Sequence, residues 1–106
     1  MSKYYHVAYA PEAVDDLRAI FAYIAFHLKA RDTARGQVAR IRREIARLNE
    51  MPERYAAVDW EPWSSRGMRK LTVDNYVVYY LVEPTAQLVT VVRIFYGGRD
   101  VENIIK

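Results

Sequence analysis

The chain has no cysteine, so it holds neither a disulfide framework nor a thiolate metal site. Its two histidines, His6 and His27, stand far apart without metal-ligand spacing. No metal and no cofactor are therefore expected. No apolar run approaches the roughly 20 residues of a spanning helix, and Met1 to Ala10 lacks the long apolar region of a signal peptide. A soluble, cytoplasmic protein without a membrane partner is the expectation. Repeats, low-complexity tracts and linkers are missing too. Charge of one sign is in small excess only: sixteen Lys and Arg against thirteen Asp and Glu, net +3. That balance permits an acidic protein or a nucleic acid as partner and demands neither.

What is present fits a single domain, 1–106, with one core. A hydrophobic fraction of 52% with 13% aromatics excludes a disordered chain. The second half carries three runs rich in Val, Ile, Thr, Tyr and Phe: Gly67 to Val73, Tyr76 to Glu83 and Leu88 to Tyr96. Asp74-Asn75 and Pro84-Thr85-Ala86-Gln87 separate them, so they read as an antiparallel meander. Gly97-Gly98 lets the chain turn out of the last strand. The last two runs are too apolar to face water, so another layer must cover them. Lys3 to Tyr9 alternates weakly and predicts a short strand at the sheet's edge or beside its middle.

The spacing predicts that cover. Pro11 suits the first position of a helix to about Leu28, with Val14, Leu17, Ile20, Phe21, Ile24 and Leu28 in one stripe. Ala10 is a poor N-cap, so the start depends on packing. After a short connection, Asp32 or Thr33 can cap a second helix to about Met51. Its stripe is Ala34, Val38, Ile41, Ile45 and Leu48, and Pro52 ends it. The fold class is thus α+β: a two-helix antiparallel hairpin on a twisted, mainly antiparallel four-stranded sheet, in the order β-α-α-β-β-β with a short C-terminal helix. Leu17, Phe21, Ile24, Ile41, Ile45, Val78 and Val92 are the expected core. Residues 53–66 have no clean period but hold Trp60 and Trp63, which either cover one end of the core or meet a partner. The second helix carries Arg35, Arg40, Arg42, Arg43 and Arg47 against Glu44 and Glu50. That is either a solvated face or a basic ridge for nucleic acid or an acidic partner.

The phrase Met68-Arg69-Lys70-Leu71-x-Val73-x-Asn75-Tyr76-x-Val78-x-Tyr80-x-Val82, followed by Val91-x-Arg93-Ile94-x-Tyr96-Gly97-x-Arg99-Asp100, resembles the RelE/ParE superfamily of bacterial toxins. Pro11-Glu12-Ala13-x-x-Asp16-Leu17-x-x-Ile20-x-x-Tyr23-Ile24 and Leu48-x-x-x-Pro52 extend the likeness to nearly the whole chain. Each motif alone is largely core pattern; their order and spacing together are specific. The resemblance implies the toxin of a type II toxin–antitoxin pair, held in a hetero-oligomer by a cognate antitoxin. For the target it implies either DNA gyrase, bound without hydrolytic chemistry, or the ribosome with mRNA, cut by an endoribonuclease. An inactive antitoxin-binding relative is a third reading.

Metal-free cleavage of RNA needs a base, cations for the phosphate and an acid for the leaving oxygen. The resemblance places Arg69 or Lys70 at the basic position before the hairpin turn and Arg99 after the last strand; Arg93 completes the candidate catalytic set. The family's arginine after the turn falls on Val77, and its catalytic tyrosine falls in Asn103-Ile104-Ile105. Two roles are therefore empty, which points nearer the ParE branch. Arg93 is otherwise a snorkelling edge residue or a cation with a carboxylate partner, on one strand face with Val91 and Phe95. Arg40, Arg43, Arg47, Tyr96 and Arg99 are the candidate residues for binding target or antitoxin. An antitoxin segment is expected on an open sheet edge, or in the groove between hairpin and sheet.

Overall fold

The computed structural model describes residues 4–99 and 101–105. Lys3 of the first run and Asp100 of the closing motif lie outside them. The strands are β1 (His6–Tyr9), β2 (Met68–Val73), β3 (Tyr76–Glu83) and β4 (Leu88–Tyr96). The helices are α1 (Pro11–Ala22), α2 (Arg31–Ala46) and the four-residue α3 (Val101–Ile104). The sheet runs β1-β4-β3-β2, with β2, β3 and β4 as the antiparallel meander and β1 parallel to β4 at the edge. The fold is α+β in the order the sequence predicts. None of the described helices is long and apolar enough to cross a membrane.

Packing starts α1. Ala10 makes no side-chain cap, but its N–H donates to Val91 O of β4 at 2.8 Å, fixing the chain where Pro11 opens the helix. The predicted end at Leu28 changes character. Tyr23–His27 form a π-turn, in which Leu28 N–H reaches Tyr23 O at 3.0 Å. Leu28 is thereby exposed rather than in the stripe. Neither Asp32 nor Thr33 caps α2. The cap is Ala30, two residues before Asp32, so the helix begins at Arg31, and Asp32 in its first turn pairs with Arg35 at 3.2 Å. Regular α-geometry ends at Ala46, tightens through Arg47–Asn49, and is closed by Met51 at φ 48° before Pro52.

The helical hairpin covers one face of the sheet. Leu17, Ile41, Ile45 and Leu48 pack on Leu71, Val73, Val78, Tyr80, Val89, Val91 and Ile94. Phe21 is half-buried and packs instead with Ile24, Ala25 and Ala34 at the hairpin's end. Val92 is also outside the core. Tyr79 pairs with Arg93 and Tyr80 with Val91, so Val92 is the extra residue of a β-bulge. The bulge reverses the alternation: Val91 and then Ile94 face the helices, whereas Arg93 and Phe95 face away.

That far face carries a second core. Met68, Tyr79 and Phe95 of the sheet lie under Val58, Trp63, Val101 and Ile105. The tryptophan-bearing segment thus covers core, one of the two roles open to it. Trp63 Nε1–H donates to Ile105 O at 3.4 Å, tying the segment to the tail. The tail turns back at Gly98, whose φ of 89° suits glycine.

Tyr80 joins the layers. It is fully buried, and its hydroxyl donates to Pro52 O at 2.6 Å. Burial pushes its pKa up to about 12. Because the folded value exceeds the unfolded one, this stability is complete below pH ~10. It is lost as pH rises through about 12. Tyr80→Phe is expected to flatten that part of the alkaline stability profile and to cost about 1–3 kcal/mol at pH 7 by orphaning Pro52 O. Urea melts at pH 8 and 11 check both.

Candidate functional site

The four candidate catalytic cations do not converge. Arg69 faces the helices and is three-quarters buried. Its Nη1 donates to Tyr55 O at 2.6 Å and its Nη2 lies 3.9 Å from Glu53 Oε2, which holds residues 53–55 against the sheet. Lys70, one residue on, points to the other face and is exposed. Lys70, Tyr79 and Arg93 form one row across β2, β3 and β4. Its middle member is buried, with Trp60 edge-on to Tyr79 at 6.0 Å. Lys70 and Arg93 are thus two strand spacings apart, about 10 Å, with a covered aromatic between.

Arg93 has a carboxylate partner. Its Nε and Nη2 bond Asp16 Oδ2 and Oδ1 at 2.9 and 3.1 Å. The Asp16 hydrogen bond holds the guanidinium's pKa above its ordinary value. Arg93 and Arg99 both lie against Phe95, at 4.5 and 5.7 Å from the ring centroid. Arg99 is exposed and makes no ion pair among the described residues. A proton donor is also missing from the buried tyrosines: burial raises the pKa of Tyr76 and Tyr79, as it does that of Tyr80, away from use near neutrality.

The arginines of α2 and of the turn that follows it divide in the same way. Arg40 bonds Asp74 at 2.8 Å, and Gln37 bonds the same carboxylate at 2.9 Å, so helix and β2–β3 turn are joined. The Arg40 hydrogen bond lowers the Asp74 pKa, with Gln37 assisting. Arg47 lies 3.4 Å from Glu44. Arg43 makes no ion pair among the described residues, and Arg42 lines a shallow groove with Tyr9, Arg18 and Phe21. The ridge is therefore mostly internally compensated.

A larger concavity lies elsewhere. β1 stops at Tyr9, opposite Val91, while β4 runs on to Tyr96 with no described strand beside it on that side. Between that edge and α1 lies a groove of about 790 Å³. Ile20 and Ile24 form one wall and Ile94 the other; Tyr23, Leu28 and Tyr96 stand exposed at its mouth beside Arg99. Tyr96 meets Tyr76 edge-on at 5.6 Å. Asp16 closes one end, since its Oδ2 also accepts the Ile94 N–H at 2.8 Å. Among the candidate binding residues, Tyr96 and Arg99 come together here, and Arg40, Arg43 and Arg47 do not.

The sequence reading missed Asp16 and the π-turn. Asp16 precedes Leu17 and stands four residues before Ile20, so it borders the buried stripe. An acid at that border was the available signal.

A helical hairpin on a meander, with an open β4 edge beside α1, defines a class of small α+β domains. The ParE toxin of type II toxin-antitoxin system, parDE, family matches residues 7–101. The chain belongs to that family. The solved structure of a chromosomal ParDE toxin–antitoxin system from P. aeruginosa superposes with a TM-score of 0.72 at 21% identity, covering 90% of this chain and 98% of that one. The RelBE2 complex from Mycobacterium tuberculosis gives 0.66 at 15% identity, covering 93% and 98%. The archaeal RelE–RelB complex from Pyrococcus horikoshii OT3 gives 0.62 at 15%, covering 90% and 97%. No curated protein sequence matches. At these identities the structures show a shared fold.

Proposed function

We propose that this toxin stops growth by binding DNA gyrase in the cytoplasm, and that a cognate antitoxin neutralises it in a hetero-oligomeric complex. The observation that carries the reading is the state of the candidate cations. Arg93 is neutralised by Asp16 and Arg69 is committed to Tyr55 and Glu53, while the face bearing Lys70 and Arg93 is roofed by aromatic packing. Transition-state stabilisation of a phosphate needs preorganised, converging donors, and here they are dispersed. Membership of the ParE family supports the gyrase branch. The P. aeruginosa, M. tuberculosis and P. horikoshii structures are toxin–antitoxin systems or complexes, which supports an antitoxin partner.

Induction of the chain, with DNA synthesis, translation and message integrity followed in parallel, tests this. Early loss of replication is expected, with purified gyrase losing supercoiling activity on addition of the protein. Lys70→Ala is expected to keep toxicity within about twofold, as for an exposed side chain that forms no ion pair with the described residues. Early message cleavage with intact replication would replace this reading with a ribosome-dependent mRNA endoribonuclease. Absence of any growth defect would leave an inactive antitoxin-binding relative.

A further inference from the structure

We infer that the shallow groove between α1 and α2 is a binding site for a small amphipathic carboxylate, a flat apolar body carrying one anionic group. The sequence places its parts. Leu17, Arg18 and Phe21 share one side of α1, because steps of three and four return to the same helix face. Val38 and Arg42, four apart, share one side of α2. The hairpin brings the two faces together, and Tyr9 at the end of β1 completes the lining. Leu17 is buried while Phe21 and Val38 are half-buried, so the apolar floor stays partly open to water. Arg18 and Arg42 are exposed at the rim. Among the described residues neither guanidinium makes a hydrogen bond or an ion pair, in contrast to Arg40 and Arg47. No carboxylate lines the groove.

That set of groups selects a ligand chemistry. The Tyr9 hydroxyl has no hydrogen-bond partner among the described residues. Burial holds its pKa above the ordinary value, against the opposing pull of Arg42, so it remains a donor at neutral pH. Two guanidinium groups and a phenol therefore offer donors with no acid beside them, and an ionised carboxylate, with about four lone-pair sites, meets such donors best. The floor of Leu17, Phe21 and Val38 offers no hydrogen bond. A nucleotide is the poorer fit, because its base and sugar would leave polar groups unpaired there. A ring fits, packing on Phe21 and under a guanidinium. The groove holds about 340 Å³, less than half the 790 Å³ of the groove beside β4, which suits one small molecule rather than a run of peptide. The two grooves share no lining residue, so this site stands whatever the toxin's target.

The test titrates the purified full chain with 2-naphthoate, followed by NMR shifts and thermal melts, beside naphthalene-2-carboxamide and AMP. Binding is expected with a Kd on the order of 1 mM or tighter, with shifts at Leu17, Phe21 and Val38. The melting temperature should rise by roughly 5 °C at about ten times Kd. Affinity should fall about tenfold on Arg18→Met, on Arg42→Met and for the carboxamide, and about threefold on Tyr9→Phe. Methionine keeps the apolar stem of an exposed arginine, so ligand-free melts of both variants should match the parent. The carboxamide comparison needs no variant and decides the charge requirement by itself. No binding at millimolar 2-naphthoate, equal affinity for the carboxamide, unchanged affinity in both methionine variants, shifts mapping to the β4 groove, or tighter binding of AMP would each overturn the site.

Discussion

Trp63→Ala is expected to lower stability by about 3–5 kcal/mol and the melting temperature by roughly 12 °C or more. Trp63 is 9% exposed and is the largest side chain of the second core. Its removal takes the lid off Met68, Tyr79 and Phe95 and cuts the bond from Nε1 to Ile105 O. The Arg66 guanidinium, 4.7 Å from the ring, loses its stacking partner as well. Four helical residues do not hold together alone, so the tail should detach before the sheet melts. Hydrogen exchange reads this directly: the Ile105 amide, bonded to Val101 O at 2.9 Å, should exchange far faster while the Tyr80 amide only follows global stability. Trp63→Phe keeps most of the apolar area and should cost less. An Ile105 amide as protected in Trp63→Ala as in the parent would mean that something else latches the tail.

Asp16→Ala is the second large effect, about 3 kcal/mol. Removing one partner of a buried ion pair costs about 3–5 kcal/mol, and the quarter of Arg93 left in solvent puts the effect at the low end. The Ile94 N–H loses its acceptor at the same time. A double-mutant cycle with Arg93→Met isolates the pair: a coupling above about 1 kcal/mol is expected for side chains in one network. Simple additivity would mean that the bidentate geometry contributes nothing. Message-cleaving activity need not enter the measurement, so thermal melts suffice.

The parts of this fold that were legible in the sequence are those set by local period. Leu17, Ile41, Ile45 and Leu48 recur at helical spacing, and each is buried. Asp74-Asn75 tolerates positive φ, and Asp74 sits at φ 54° in the turn. What stayed illegible depends on non-local geometry. Nothing in Val91-Val92-Arg93 distinguishes an extra residue from an ordinary one, because hydropathy does not record which residue the partner strand skips. Placing Val92 in the core and Arg93 on one face with Val91 followed from an unbroken alternation, and the bulge reverses it. The Asp16–Arg93 pair joins residues far apart in the chain, so each could be suspected of having a partner but not assigned one. The N-cap expectation failed for a related reason: Ala30 starts α2 because the π-turn before it sets the entry, although Asp32 and Thr33 have better capping chemistry. At the candidate site, the charges were all visible; which were already neutralised was not.

The pairing of β1 with β4 has a consequence for biosynthesis. Among the described strands β1 is the first made, and its strand partner, reached through His6 opposite Leu88, is the last. Chains emerge N-terminus first, so the edge strand waits for both helices and the rest of the sheet. Contacts this distant in sequence slow folding, because loop closure precedes the contacts that offset it. A prematurely terminated chain lacking β4 has no strand for β1 to join and no wall for the groove. The wall that Ile94 and Tyr96 give the groove therefore comes into being only with the last strand of the sheet, after both helices and the rest of the meander have been made.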